Sequence, residues 1–242
     1  MKSIITYGDK RKGLQLPVVL SEELAEFLGI MTGDGSINKY RFKGGTASEY
    51  SISITCSFTD DKEYIDNFIV PLIFRVFNIK LKPVKLKGQN TIRIITRSKG
   101  LFYFLKDIGF NIGPKDNIEI PKFILKNKKF IIPFIRGLFD TDGSVSLKKQ
   151  GHNYPVISVK QKSRKLVEQL ELILKEMGFS MYTEYDTIVN DNRGFSSKGS
   201  RIYINGRKNA KNWMGKIGFH NPKHIRKVEI AVGREGFEPS TA

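Results

Sequence analysis

The fold is predicted by the stretch Phe134-Ile135-Arg136-Gly137-Leu138-Phe139-Asp140-Thr141-Asp142-Gly143, an apolar run with helical spacing that ends in an acid followed by glycine. An earlier stretch, Leu24-Ala25-Glu26-Phe27-Leu28-Gly29-Ile30-Met31-Thr32-Gly33-Asp34-Gly35, repeats this plan. Aligning Asp34 with Asp142, 142 − 34 = 108 residues later, also aligns Gly29 with Gly137 and Ser36 with Ser144. The chain is therefore predicted to contain two related units.

Each of the two aspartates is predicted to lie at a helix C-terminus, because the glycine after it can take the left-handed conformation that stops a helix. A carboxylate there is unfavourable by about 0.3–1 kcal/mol unless a cation lies nearby. Small residues four apart, Gly29/Gly33 and Gly137/Thr141, predict two closely packed helices that bring both acids together. The alternative is that the aspartates only terminate helices in tight turns.

Both stretches resemble the LAGLIDADG motif of homing endonucleases, which occurs twice in the single-chain members of that family. The likeness lies in Gly33-Asp34-Gly35-Ser36 and Asp140-Thr141-Asp142-Gly143-Ser144. The resemblance implies that Asp34 and Asp142 bind the catalytic divalent metal and that Gly33 and Thr141 offer it their carbonyl oxygens. The first copy has Thr32 where the second has Asp140, so no role is carried over to that position.

The periodicities predict the same order of elements in both copies, an α+β fold of duplicated αββαββα units. Predicted strands cover 36–43, 50–58, 79–87 and 91–96, then 145–149, 156–160, 180–187 and 201–204. Two predicted helices start at the N-caps Ser21 and Ser163, and three others cover 60–77, 100–108 and 208–217. The helix over 60–77 is expected to be interrupted or kinked at Pro71. The second motif helix is expected to have Pro133 in its first turn. The resemblance implies pseudo-twofold units forming a saddle-shaped antiparallel sheet. The expected domains are an N-terminal arm (1–20), a first unit (21–112), a linker (113–129), a second unit (130–232) and a disordered tail (233–242).

Composition points to a polyanionic partner. The 242 residues contain 41 Lys and Arg against 24 Asp and Glu, a net charge of +17, so nucleic acid is the leading partner and a basic housekeeping protein the alternative. The single cysteine, Cys56, excludes an intrachain disulfide and a cysteine-rich zinc site, and indicates a reducing compartment. No apolar run approaches the roughly 18 residues of a membrane span, so we expect a soluble protein of the cytoplasm, or of an organelle in a eukaryotic host. The resemblance to the single-chain members of the family implies a monomer.

The proposed chemistry is phosphodiester hydrolysis, for which carboxylate ligands suit Mg²⁺, with Mn²⁺ or Ca²⁺ as substitutes. The resemblance implies a polar residue at the end of each unit's second strand that orders water near the metal. We assign Gln161 to this place, with Ser57 as its positional partner. Arg93 and Arg201, on the last hairpin strands, are predicted to neutralise transition-state charge. The alternative for these four is that they are ordinary DNA-facing or solvated strand residues.

The remaining candidates are strand residues whose side chains are predicted to enter the major groove or to contact phosphates. They are Asn38, Tyr40, Arg41, Ser53, Lys82, Lys85, Lys148, Lys160 and Tyr182. The sequence thus predicts a homing endonuclease, a metal-dependent enzyme that makes site-specific double-strand breaks in DNA for a mobile intron. The alternative is a non-cleaving intron maturase, with intron RNA as its partner, or a DNA-binding regulator on the same fold.

Overall fold

The computed structural model describes residues 4–41, 48–148, 154–190 and 196–233. The final positions of the strands predicted at 36–43 and 145–149 lie outside these residues. The predicted tail lies outside them from residue 234 onward.

The first half of the chain contains five α-helices and four strands among its described residues. In order they are α1 (Tyr7–Arg11), α2 (Glu22–Gly33), β1 (Gly35–Arg41), β2 (Ser48–Ser57), α3 (Phe58–Tyr64), a π-helical turn (Ile65–Ile69), α4 (Val70–Phe77), β3 (Val84–Lys85), β4 (Thr91–Arg97) and α5 (Lys99–Asp107). The strands form an antiparallel sheet in the order β1-β2-β4-β3.

The second half repeats this order after a short helix. Its elements are α6 (Lys122–Leu125), α7 (Lys128–Thr141), β5 (Gly143–Lys148), β6 (Tyr154–Gln161), α8 (Arg164–Glu176), β7 (Tyr182–Asn190), β8 (Ser196–Asn205), α9 (Arg207–Lys216) and α10 (Pro222–Val232). The antiparallel sheet has the matching order β5-β6-β8-β7. Across the four described ranges, every helix is too short or too polar to cross a lipid bilayer.

The predicted α+β fold with duplicated αββαββα units is therefore confirmed. The described residues fall into two compact units, one within Met1–Gly113 and Pro121–Thr141, the other within Pro114–Ile120 and Asp142–Ala242. Helix α7 belongs to the first because it packs along α2. The domain boundaries expected from the sequence, and the combination of both sheets into a saddle, stay predictions.

Two predictions about strand and helix ends are wrong. The strand expected over 79–87 is reduced to β3, which pairs with β4 at only two positions. It begins directly after Pro83, which has no N–H to donate to a ladder.

Pro133 lies in the second turn of α7, because the helix begins at Lys128. The Asn127 side chain accepts the Lys129 N–H (3.2 Å), which starts the helix earlier than expected. Pro71 does interrupt its α-helix, since the π-helical turn precedes it.

The glycines after the motif aspartates do not have the predicted left-handed conformation. Ser21 caps α2 as predicted (Leu24 N–H to Ser21 Oγ, 3.1 Å), and Asp34 ends it with φ −87° and ψ −2°. Gly35 and Gly143 are not among the described glycines with positive φ; they begin β1 and β5. Gly35 is required for another reason, since a Cβ there would lie 2.4 Å from Met31 Cα.

Helices α2 and α7 are in backbone contact at two glycines, as the sequence predicted. A Cβ on Gly29 would lie 2.1 Å from the Phe134 carbonyl oxygen, and a Cβ on Gly137 would lie 2.3 Å from the Glu26 carbonyl oxygen. These contacts are equivalent, because 26 + 108 = 134 and 29 + 108 = 137. Any side chain at either glycine would force the two helices apart.

The N-terminal segment is anchored to the first compact unit through Asp9 in α1. This side chain is 1% exposed. It accepts hydrogen bonds from Ser98 Oγ (2.6 Å), the Gly100 N–H (3.1 Å), and the N–H (3.0 Å) and Oγ1 (2.7 Å) of Thr6. Burial alone would raise the pKa of Asp9, but the hydrogen bonds from Ser98, Thr6 and Gly100 outweigh it and lower the pKa. Asp9 therefore ties α1 to the start of α5.

We predict that Gly29→Ala and Gly137→Ala each destabilise the protein by about 1–3 kcal/mol or more, because the new methyl group meets backbone atoms of the facing helix. Gly215→Ala is the matched control. It lies in helix α9 with no atom within 4 Å of its added Cβ, so it should gain about 0.5–1 kcal/mol. Urea unfolding of the three variants measures the difference; equal midpoints for Gly29→Ala and the parent would contradict the contact.

We predict that Asp9→Asn lowers the free energy of unfolding at pH 7 by about 1–3 kcal/mol, because its buried donors lose a charged acceptor. Since the pKa of Asp9 is lowered on folding, its contribution is present above the ordinary aspartate pKa and disappears as the pH falls through the lowered value. The difference between parent and variant should thus shrink below about pH 4. Urea unfolding at both pH values tests this, with the exposed Asp107→Asn as control; a difference independent of pH would refute it.

Candidate active site

Asp34 begins a row of residues that crosses the first sheet. It is half-buried at the end of α2, and its carbonyl oxygen accepts the Thr55 N–H (3.1 Å), which extends the β1–β2 ladder by one position. Thr55 pairs with Arg93 on β4. Arg93 Nε donates to Thr55 Oγ1 (3.2 Å), so the guanidinium is held on the row that starts at the acid.

Asp142 begins the equivalent row of the second sheet. Gly143 pairs with Val159, so the ladder continued by one position places Asp142 opposite Lys160, which pairs with Arg201. Arg93 and Arg201, both predicted on the last hairpin strands, therefore occupy equivalent positions. The Arg201 guanidinium donates to the Tyr203 hydroxyl (3.3 Å), which restrains it on β8.

The Asp142 carboxylate has a defined partner and a perturbed pKa. Gln161 Nε2 donates to its Oδ2 (2.7 Å). Burial raises the pKa of Asp142, while the hydrogen bond from Gln161 and the charges of Lys115 and Lys223 oppose this effect. The two lysines are site residues that the sequence interpretation missed, because they come from the segment before α6 and from α10, far along the chain from the motif.

Gln161 does not have Ser57 as its positional partner. Because Gly35 pairs with Ile54 and Gly143 with Val159, the residue equivalent to Gln161 is Cys56, a buried thiol. Ser57 instead caps α3, with its Oγ accepting the Asp60 N–H (3.4 Å) and donating to Asp60 Oδ2 (2.9 Å). A catalytic role for Ser57 stays a prediction that this geometry does not support.

The predicted DNA-contacting residues are distributed over both sheets. Ser36, Asn38 and Tyr40 alternate with the buried Ile37 along β1, so they share the sheet face opposite the core. Ser53 lies on that face of β2, with its Oγ 2.9 Å from Ser36 Oγ. The exposed candidates are Tyr40, Arg41, Lys82, Lys85, Lys148 and Tyr182, and the half-buried ones are Asn38, Ser53 and Lys160. Lys82 lies outside β3, so its assignment to a strand was wrong.

A buried polar cluster lies between α2 and α7, and the sequence interpretation left it without a role. Asp140 is fully buried and accepts a hydrogen bond from the Tyr64 hydroxyl (3.4 Å). Glu26 forms an ion pair with Arg136 (3.5 Å). Burial, followed by the charges of Asp140 and Glu26, raises the pKa of Tyr64, so this hydroxyl stays protonated as a donor. The sequence did contain a signal for this cluster, because Asp140 is an acid inside an otherwise apolar motif helix.

Each of the two motif-helix ends, taken by itself, carries a residue of the kind that binds a hard divalent cation. Asp34 and Asp142 offer carboxylate oxygens, which are the ligands that Mg²⁺ and Ca²⁺ prefer. The pKa of Asp142 is raised because burial penalises its charged form, and a bound cation would remove that penalty. The positive charges of Lys115 and Lys223 also lower the pKa of Asp142.

Comparison with known proteins gives a consistent family. A family profile described as LAGLIDADG-like domain matches residues 129–218. The uncharacterized protein MJ0314 of Methanocaldococcus jannaschii is 30% identical over 171 residues, or 68% of this chain, and the chain spans 58% of that relative's length. The homing endonuclease I-DmoI of Desulfurococcus mucosus is 27% identical over 157 residues, which cover 64% of this chain and 70% of I-DmoI.

Solved structures show the same fold. I-DmoI in complex with DNA and Ca aligns with a TM-score of 0.58 and 25% identity, over 81% of this chain and 88% of the other. I-SmaMI, bound to an uncleaved DNA target in the presence of calcium ions, aligns with a TM-score of 0.55 over 90% of this chain and 92% of the other; at 12% identity it shows the fold alone. With the repeated motif helices, these likenesses establish that the chain belongs to the LAGLIDADG family, in the form that carries two motifs on a single chain.

Proposed function

We propose that this protein is a homing endonuclease, a monomeric enzyme that cuts both strands of a specific duplex DNA site with the help of Mg²⁺. One observation carries the proposal. Both motif helices end directly before a half-buried aspartate, and each aspartate begins an equivalent sheet row that leads to an arginine, Asp34–Thr55–Arg93 and Asp142–Lys160–Arg201. Such a duplicated arrangement suits two strand cleavages in one duplex.

The roles of the residues follow from their positions. Asp34 and Asp142 would hold the divalent cation, with carbonyl oxygens from Gly33 and Thr141, and the cation supplies a Lewis acid and an activated water. Gln161 fixes the orientation of the Asp142 carboxylate through its 2.7 Å hydrogen bond. Arg93 and Arg201 add positive charge where phosphate charge increases during hydrolysis.

DNA binding is proposed to use the outward faces of the two sheets. The net charge of +17 supplies phosphate affinity. The exposed Lys148, on the outward face of β5, would contact the backbone, and Asn38 and Tyr182 lie on outward faces from which base edges in the major groove are accessible. Alternation and register place Arg41 and Lys85 on the helix-covered side, so they would reach phosphates only around the edge strands β1 and β3. The single cysteine, Cys56, is a buried thiol that can form no intrachain disulfide, which suits the reducing compartment proposed for the protein, the cytoplasm or an organelle.

We predict that Asp34→Asn and Asp142→Asn each abolish double-strand cleavage while the protein still binds its target, because an amide is a poor ligand for Mg²⁺. Asp66→Asn is the control, since it removes only an exposed pair with Lys62. The assay combines cleavage of target DNA, intron-free at the insertion site, with a gel-shift measurement in Ca²⁺. Tight binding without cleavage by the parent protein would favour the maturase or regulator alternative instead.

We predict that Gln161→Ala lowers the cleavage rate about 10- to 100-fold, because the Asp142 carboxylate loses the donor that orients it. DNA affinity should change little. The neighbouring Lys162→Ala, which removes only an exposed ion pair with Asp116 (3.9 Å), is the control. Single-turnover rates at saturating enzyme measure the effect, and equal rates for Gln161→Ala and Lys162→Ala would contradict the assigned role.

A further inference from the structure

A pair of half-exposed tyrosines lies where α5 packs on β2. The rings of Tyr50 and Tyr103 have centroids 5.6 Å apart, and their hydroxyl oxygens are 3.4 Å apart. The buried Phe102 contacts both rings, at 4.9 Å from Tyr50 and 5.3 Å from Tyr103. The two tyrosines are therefore fixed by packing while part of each ring faces solvent.

Three lysines surround this tyrosine pair. Lys39 Nζ lies 5.6 Å and Lys99 Nζ 5.9 Å from the centroid of the Tyr50 ring. The hydrogen bond with Tyr50 lowers the pKa of Tyr103; burial opposes this, and the charges of Lys39, Lys99 and Lys106 add to it. Within the part of the chain that the structure describes, no carboxylate lies within ion-pair distance of these three lysines. We call Lys39, Tyr50, Lys99, Tyr103 and Lys106 the tyrosine–lysine patch.

An open cleft lies next to the patch. It has a volume of about 290 Å³ and is lined by Ser48, Glu49, Tyr50, Arg97, Ser98 and Lys99. The carboxylate of Glu49 is 2.7 Å from Arg97 Nε, so its charge is compensated locally. The lysine charges of the patch are not compensated in this way. A polyanion is the ligand that such an arrangement attracts.

The tyrosine–lysine patch is on the opposite side of the sheet from the proposed DNA face. Lys39 pairs directly with Tyr50 in the β1–β2 register. Since alternate residues of a strand share a face, Lys39 is on the side of the buried Ile37, whereas Asn38 and Tyr40 are on the other side. The contacts of Tyr50 with Phe102 and Tyr103 of α5 confirm that this is the helix-covered side.

We propose that the tyrosine–lysine patch binds a single-stranded segment of nucleic acid, separately from the duplex substrate. Unpaired bases can stack on fixed aromatic rings, and the surrounding lysines can contact the phosphates between them. In a duplex the faces of the bases are already stacked on each other, so this combination of groups favours a single strand. The inference does not depend on the cleavage activity proposed above.

Fluorescence anisotropy of the full-length protein with labelled oligouridylate and oligothymidylate, each of about 12 nucleotides, tests the proposal. We expect Tyr103→Leu to weaken binding about tenfold or more, while Tyr103→Phe, which keeps the ring, binds like the parent. Lys39→Gln/Lys99→Gln should weaken binding more than Lys126→Gln/Lys128→Gln, which changes the net charge equally at exposed positions outside the patch.

Weakened binding of either oligonucleotide in the patch variants supports the proposal, and the two oligonucleotides show whether RNA or DNA is preferred. Equal losses for both lysine pairs would mean general electrostatic attraction and would overturn it, as would displacement of the bound strand by duplex DNA of unrelated sequence. Thermal unfolding of Tyr103→Leu shows whether the fold is intact. Asp34→Asn should bind the single strand normally, so failure of the proposed cleavage and failure of this inference are distinguishable.

Discussion

Backbone contact between α2 and α7 is the constraint on which the first compact unit depends. Both helices are apolar and buried along most of their length, yet the contact is specified by two residues that have no side chain, Gly29 and Gly137. Dispersion between closely spaced backbones is strong only while that spacing is kept. The same close approach leaves the buried groups of Glu26 and Asp140 with partners inside the unit, Arg136 and Tyr64, instead of water.

The pairing register of the strands then determines which residues of each sheet lie in one row with the aspartate at the helix end. The ladder begins at the residue after each motif helix, so the acid that follows the helix is fixed relative to every strand. A shift of one residue would turn each side chain to the other face. The position of the arginine, on β4 or β8, is thus fixed by hydrogen bonds between main-chain groups, without direct contact between the arginine and the acid.

The sequence predicted the helix pair, the order of the elements and the placement of Arg93 and Arg201 on the last hairpin strands, because periodicity and repeat spacing carry that information directly. It did not predict that residue 35 must be glycine because a side chain there would collide with Met31. A positive φ and a close approach both require glycine, so the sequence alone does not distinguish them. It also mispaired Gln161, because the equivalent residue, Cys56, is defined only by pairing across strands. The anchoring of α1 was missed for a similar reason, as Asp9 and Ser98 are 89 residues apart.

The replacement of Gln161 by Cys56 at the equivalent position shows how far the two copies have diverged. A protein assembled from two identical chains must change both halves with every mutation. Here the two halves differ at equivalent positions. The second has the amide Gln161 where the first has the thiol Cys56, and Lys160 where the first has Thr55. Joining two copies in one chain thus releases each from the symmetry of the other, and lets evolution adapt one half at a time to a partner without internal symmetry.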